Sequence, residues 1–452
     1  MSEFIPYIDR ERKNFWIVLG IYFSIFVYTY ILFKSPFECY LGYLVMLLLL
    51  PGFIFKFGWN RNLIYIFLLL LISGIIHVFV GNNTLQNFLK VYLSLLLTYF
   101  FYYYVICELE FDIKQMFKWY LKGCYIAALI GLFQFCSYII GFENGYYLFH
   151  YANKGGIPVT GGLWGIRINS IFMEPTHLGS VLSAAFFVAV YNLVSREKFY
   201  YNSIQNWIVI IAYLLAFSGM GQIGVFLTIV MLAINFGFVR YIALAIPVMI
   251  ISFNYLYNNV NDFRERFDST YGLFVEGAQF ELGKTHGSSF ILYNNYIVAT
   301  KNFQGNFLFG TGLGSHQTAF EKYSIGKEIG VWGFDLNSAD ANSMFLRLMS
   351  ETGLFGLSIF LIILVKCYVK RENNYDSYHW LVSNGILIMI LLNLLRQGNY
   401  YLYGFPFFLM LYYYNKVSYN EFKIKTDTDS NSETVISSEN EDLSNLPQSP
   451  DA

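Results

Sequence analysis

Apolar residues in this chain seldom alternate with polar ones. They come in runs of about twenty, the length a helix needs to cross a hydrocarbon layer. The runs predict helices over 15–33, 38–55, 62–80, 86–106, 117–140, 175–194, 204–218, 221–236, 240–257, 345–365, 379–395 and 400–415. In a bilayer each backbone amide must bond within its own segment, which leaves helices. The strands of a membrane barrel would alternate instead. The expected fold is an all-α polytopic membrane protein with about twelve transmembrane helices. Helices one to nine fall within 1–257, with an outer segment at 141–174, and a large extracytoplasmic loop carrying short helices fills 258–344. Three more helices lie within 345–415, and 416–452 remains as a cytoplasmic tail.

Composition strengthens the membrane reading. Hydrophobic residues make up 56% and charged residues 13%, where soluble domains carry about 25% charged. The formal charge of -1 hides an asymmetry. Asp427, Asp429, Glu433, Glu439, Glu441, Asp442 and Asp451 stand in the tail with no base from Thr426 onward, so the rest of the chain is basic. This Ser-, Asn- and acid-rich tail is expected to be disordered. Cytoplasmic connections are rich in Lys and Arg. Placing Arg10, Arg12, Lys13, Lys56, Arg61, Lys114, Lys118, Arg196, Lys198, Arg240, Lys366, Lys370 and Arg371 inside puts both termini in the cytoplasm. The turns "GNNTLQ" and "SGMGQ", which carry no Lys or Arg, then lie outside. The N-terminus reads as an uncleaved first span. The cysteines Cys39, Cys107, Cys124, Cys136 and Cys367 contain no CxxC pair, so neither a disulfide framework nor a metal centre is expected.

Candidate chemistry gathers at the outer ends of the spans. In "RINSIFMEPTHLG" Glu174 precedes Pro175, which suits the first position of a helix. Arg167 stands just before it, and His177 about one turn inside. The long loop holds "FLFGTGLGSHQTAFEKY". Its Gly310, Gly312 and Gly314 lead to Ser315 and His316, and a glycine turn before a helix offers backbone amides to phosphate. The spacing is GxGxG, not the dinucleotide GxGxxG. A plain turn, an incidental histidine and interfacial anchoring are the bland alternatives. In "DANSMFLRLMSETGLFG", which follows Asp340 and Asn342, Arg347 and Glu351 share a helix face, and a mutual ion pair is the simplest reading. Arg396 ends the eleventh span, and the loop adds Arg264 and Arg266. Arginines suit bidentate binding of phosphate oxygens. Arg167, Arg347 and Arg396 therefore suggest an anion site at the outer face. His177, Asp340, Asn342, Glu351, Gly312 and Gly314 are secondary candidates there.

Three segments carry a resemblance: "RINSIFMEPTHLG", "SSFILYNNYIVATKNFQGNFLFGTGLGSH" and "DANSMFLRLMSETGLFG". With the twelve-span layout and the large outer loop, they resemble the bacterial polysaccharide repeat-unit polymerases, the Wzy-type O-antigen and capsule group, over the chain up to about Asn415. The related ligase pattern often has a histidine where Ala341 stands and an arginine after the seventh span; this chain has neither. The resemblance implies a GT-C-like membrane glycosyltransferase in the bacterial inner membrane, its site facing the periplasm. Donor and acceptor would be glycans on undecaprenyl diphosphate, with membrane lipids around them and a chain-length regulator as a further partner. No cofactor, metal or nucleic acid is implied. Arg167, Arg347 and Arg396 would hold the diphosphate, and Glu174 or His316 would take the acceptor proton. An O-antigen ligase is the alternative. A lipid-linked oligosaccharide flippase would show shorter outer loops, and a membrane acyltransferase would show a histidine–acid pair.

Overall fold

The architecture comes from a computed structural model, which describes residues 7–27, 30–33, 39–147, 159–160, 165–196, 198–237, 242–278, 280–281, 284–327, 336–372 and 378–444. Arg240, parts of the outer segment (148–158 and 161–164), residues 328–335 of the long loop and the last eight residues lie outside them. The described chain is helical. In order come α1 (Tyr7–Ile25), α2 (Leu41–Phe57), α3 (Arg61–Phe79), α4 (Leu85–Glu108), α5 (Ile113–Ile139), α6 (Glu143–Tyr146), α7 (Pro175–Ser195), α8 (Ser203–Leu215), α9 (Gly219–Asn235) and α10 (Ile242–Asn259). The loop region forms α11 (Asn261–Tyr271), α12 (Gly287–Gly305) and α13 (His316–Tyr323), followed by α14 (Met344–Lys366), α15 (His379–Arg396) and α16 (Phe405–Ser444). Two short antiparallel pairs accompany them, Ile31–Phe33 with Cys39–Tyr40 and Val159–Thr160 with Ile166–Arg167.

Each apolar run of the sequence overlaps a helix, but the first, expected over 15–33, ends at Ile25, and Ile31–Phe33 is a strand. Among the described residues, six helices are long and apolar enough to cross a membrane: α3, α4, α5, α7, α14 and α15. Shorter apolar helices are Trp16–Ile25, Leu41–Phe57, Ser203–Leu215 and Gly219–Asn235. The centre of the bundle is α7 with α15. Both are 78% buried over their apolar windows, whereas α3 is 11% buried and lies at the rim. Gly179, Ser180, Ser183, Ala184 and Ala185 give α7 small flanks, so neighbours approach closely. Ala184 rests against Gly385 of α15, and Tyr120 of α5 donates its hydroxyl to the Val181 carbonyl.

Charged side chains gather at both ends of the bundle. At one end Lys56 of α2 pairs with Glu108 of α4, Arg371 lies 4.3 Å over the Phe236 ring, and Lys423 meets Glu372 at 2.9 Å. At the other end lie the starts of α7 and α14, the end of α15 and the segment 397–404, where the candidate residues are. The tail departs from expectation. Instead of becoming disordered at 416, α16 continues as helix to Ser444. No proline interrupts its sequence between Pro406 and Pro447. Tyr419 is buried, and Phe422 packs on the His379 ring, which extends the helix beyond its apolar stretch.

One helix is broken. Inside α14, Gly353 takes φ 63° and ψ -162°, a left-handed conformation that only glycine adopts cheaply. The break frees backbone groups in the middle of an apolar helix, and the loop after α12 supplies their partners. The Leu354 and Phe355 amides donate to the Phe307 and Leu308 carbonyls at 2.8 and 3.0 Å, and the Gly312 amide donates to the Glu351 carbonyl at 2.8 Å. Asn302 donates to the Ser350 carbonyl at 3.1 Å. The polar Ser350, Glu351 and Thr352 immediately before Gly353 are the sequence's sign of this interruption.

Candidate functional site

Arg347 and Glu351 are one turn apart, as their spacing requires, and both are buried, at 2% and 0% exposure. The Arg347 Nε donates to Glu351 Oε1 at 2.9 Å, and its Nη1 donates to the Gly398 carbonyl at 2.9 Å. The guanidinium lies 4.2 Å over the Tyr400 ring, whose hydroxyl donates to Glu351 Oε2 at 3.0 Å. The cation is thus enclosed by a carboxylate, a carbonyl and an aromatic face. This clamp ties the start of α14 to the segment after α15. The end of α15 is tied to α14 too: Ser343 caps α14 and donates to the Leu394 carbonyl at 2.7 Å. A side chain at Gly398 would overlap the Asp340 carbonyl. Asp340 also accepts the Asn342 amide at 2.9 Å, and Asn342 Oδ1 accepts from Asn337 at 3.3 Å. Asn337, Ala341 and Asn342 all have positive φ, so this turn concentrates backbone strain.

Arg396 differs from Arg347. It closes α15, where a cation complements the negative end of the helix. Its neighbour is another cation, Arg266 of α11. No ion pair links Arg396 to a carboxylate among the described residues. The next side chain, Gln397, has a buried Nε2 with no hydrogen-bond partner among the described residues. A cation at the end of a helix with no carboxylate partner among the described residues is suited to an anion.

Glu174 is exposed at the N-cap of α7, with Pro175 in the first turn as expected. Its side chain makes no capping bond. His177, one turn on, shares a hydrogen bond of 2.7 Å between its Nδ1 and the Tyr403 hydroxyl. Tyr403 is a residue that sequence reasoning missed. Its φ of 50° is unusual for an aromatic, and nothing in "NYYLYG" distinguishes it from its tyrosine neighbours. Arg167 belongs to the short strand pair before α7, opposite Val159. Gln134 of α5 anchors the following turn through Asn169 and Ser170.

The glycine turn and His316 do not face this mouth. A Cβ at Gly310 would stand 2.5 Å from the Glu351 carbonyl, one at Gly312 2.9 Å from His77, and one at Gly314 2.6 Å from the Asn87 carbonyl. The turn is therefore packed on α14, α3 and α4, and the Gly312 amide is engaged by Glu351 rather than open to phosphate. Ser315 does not cap α13 with its side chain. His316 is fully buried, its Nε2 3.0 Å from Asn295 Oδ1. Asn295 uses its amide nitrogen on the Ile291 and Leu336 carbonyls, so Nε2 of the histidine is the donor to its Oδ1. Burial, then the nearby Arg347 charge, push His316 down to about 3. The sequence offered His316 as a candidate to take the acceptor proton; in the structure its ring is fully buried and held by Asn295.

The low value makes a prediction. The unfolded chain binds a proton at this histidine below about pH 6.5, while the folded chain refuses it until about pH 3. Stability linked to His316 is therefore complete above pH 6.5 and is lost as pH falls towards 3. His316→Gln should unfold at a lower temperature than the parent at neutral pH, and the gap should narrow with acidification. A constant gap from pH 7.5 to 4.5 would show that the histidine does not titrate this way.

Fold and site together define a helical chain with six candidate membrane-crossing helices and, at one end, the neighbouring cations Arg396 and Arg266. No known protein-family model matches the chain, and no curated protein matches its sequence.

Proposed function

We propose that the protein is a twelve-span, GT-C-like membrane glycosyltransferase. It would polymerise glycan repeat units carried on undecaprenyl diphosphate, at the periplasmic face of the bacterial inner membrane. The observation that carries the reading is Arg396 beside Arg266, with no carboxylate partner for Arg396 among the described residues and the Gln397 amide next to it. Such a mouth suits a diphosphate. Arg396 and Arg266 hold the leaving group, with Arg167 supplying a third cation from the strand before α7. Arg347 serves as the buried clamp that positions the 397–404 segment.

The chemistry follows from the donor. The bond from the anomeric carbon to the diphosphate oxygen breaks, and the acceptor hydroxyl oxygen bonds to that carbon. The diphosphate leaves with the electron pair, and the cations stabilise its charge. The acceptor proton passes to Glu174, exposed at the mouth. The His177–Tyr403 pair beside it orients the acceptor. A glycosyl diphosphate is already activated, so the reaction needs neither nucleotide nor metal, and a chain-length regulator would bear only on product size.

Glu174→Gln keeps shape and removes the charge. It should cut turnover by about 10²–10⁴-fold while the protein inserts and unfolds as the parent does. Near-parental turnover on carrier-linked repeats would remove Glu174 from the mechanism. Sidedness is checked separately. Reporters at Asn144 and Lys327 should read as periplasmic and one at Arg196 as cytoplasmic; a cytoplasmic Lys327 would put the mouth on the wrong side for this reaction.

A further inference from the structure

The break in α14 has a counterpart in the loop that fills it. Residues 306–310 carry Phe307, Leu308 and Phe309, which are 49%, 57% and 64% exposed. Three large apolar side chains in a row on an extramembrane turn would be a poor arrangement in water. They are not an isolated patch. The Phe309 ring packs on Phe355 of α14 at 5.6 Å, and Phe355 begins an exposed apolar flank that continues through Ile359, Ile362 and Ile363. On the other side the same loop rests on the α3–α4 corner. There Asn83 donates to the Leu313 carbonyl at 2.8 Å, and Phe79 and Val80 are 86% and 69% exposed.

The backbone is prepared for an apolar surrounding as well. Irregular chain survives in hydrocarbon only where its polar groups find protein partners. The Asn306 carbonyl accepts the Gly310 amide at 2.9 Å, and the Phe307 and Leu308 carbonyls accept the amides that Gly353 leaves open in α14. The two interruptions satisfy each other. Lys301 and Gln304, exposed near the end of α12, are the last polar side chains before the apolar tip apart from half-buried Asn306. They mark the level at which headgroups would begin.

We infer that residues 306–310 form a re-entrant turn that dips into the lipid layer and completes α14 where that helix is broken. The large loop is thus anchored in the bilayer rather than free above it. The partner is the acyl region of the membrane, and the inference rests on α14 being a membrane helix, not on the proposed reaction.

Single cysteines carrying an environment-sensitive fluorophore test it, in full-length protein reconstituted in phosphatidylcholine vesicles with C39S, C107S, C124S, C136S and C367S in place. Leu308→Cys reports the turn, Ile362→Cys reports α14, and Phe307→Cys replaces the first if it accumulates poorly. The expected result is blue-shifted emission at both sites, quenched by spin-labelled lipid and little affected by aqueous iodide. A turn label quenched by iodide while the α14 label is quenched by lipid would overturn the re-entrant turn and leave α14 in the membrane. Iodide quenching at both would overturn the membrane placement of α14 and the turn with it.

Discussion

Arg396→Ala is expected to lower polymer formation by about 10²–10³-fold, the typical loss when one preorganised donor to a developing anion is removed. The same substitution should leave the protein at least as stable as its parent. Burial, and after it the nearby Arg266 charge, disfavour the Arg396 cation, and no carboxylate joins Arg396 among the described residues. Removing one cation therefore relieves the folded state. A residue that costs stability yet is needed for activity is a residue held for a ligand. Arg396→Lys keeps the charge but loses the planar fork and should recover only part of the rate. Turnover and unfolding midpoint, measured on the same purified samples, check both halves. Parental turnover in Arg396→Ala would leave the diphosphate site unsupported. A large drop in midpoint would instead make Arg396 a structural residue.

Arg347 should behave in the opposite way. Arg347→Met leaves the Glu351 carboxylate fully buried with only the Tyr400 hydroxyl as partner. Breaking a buried pair from one side costs about 3–5 kcal/mol, whereas replacing both partners by apolar residues is often neutral. The expected result is little folded Arg347→Met protein and substantial recovery in Arg347→Met/Glu351→Leu. If the single variant folded normally and lost only activity, the clamp assignment would fail and Arg347 would return to the diphosphate.

The contrast between these arginines shows what the sequence can reveal. All three candidate arginines look alike along the chain, each at the end of an apolar run. The helices were legible because hydrophobic length alone dictates them in lipid. The Arg347–Glu351 pair was legible because both partners lie on one helix face. The rest of the clamp, Gly398 and Tyr400, is about fifty residues away in the chain, and no local pattern announces it. Arg266 was visible as a loop cation, but its approach to Arg396 is a tertiary fact. His316 misled because it follows a glycine turn in the long loop, while α12 buries it through Asn295. The break at Gly353 was missed because the polar Ser350, Glu351 and Thr352 before it read equally as the helix's outer end. The helical tail was missed because acidic composition argued for disorder and said nothing about a helix already under way.

The most direct test of the account is to delete the gene in its own host and resolve the surface glycan by gel. Polymerisation of carrier-linked repeats predicts that the ladder of lengths collapses to a single repeat and that a wild-type copy restores it, while Arg396→Ala and Glu174→Gln copies do not. An unchanged ladder in the deletion strain would contradict the account, as would the loss of all surface glycan with full-length polymer accumulating on the carrier.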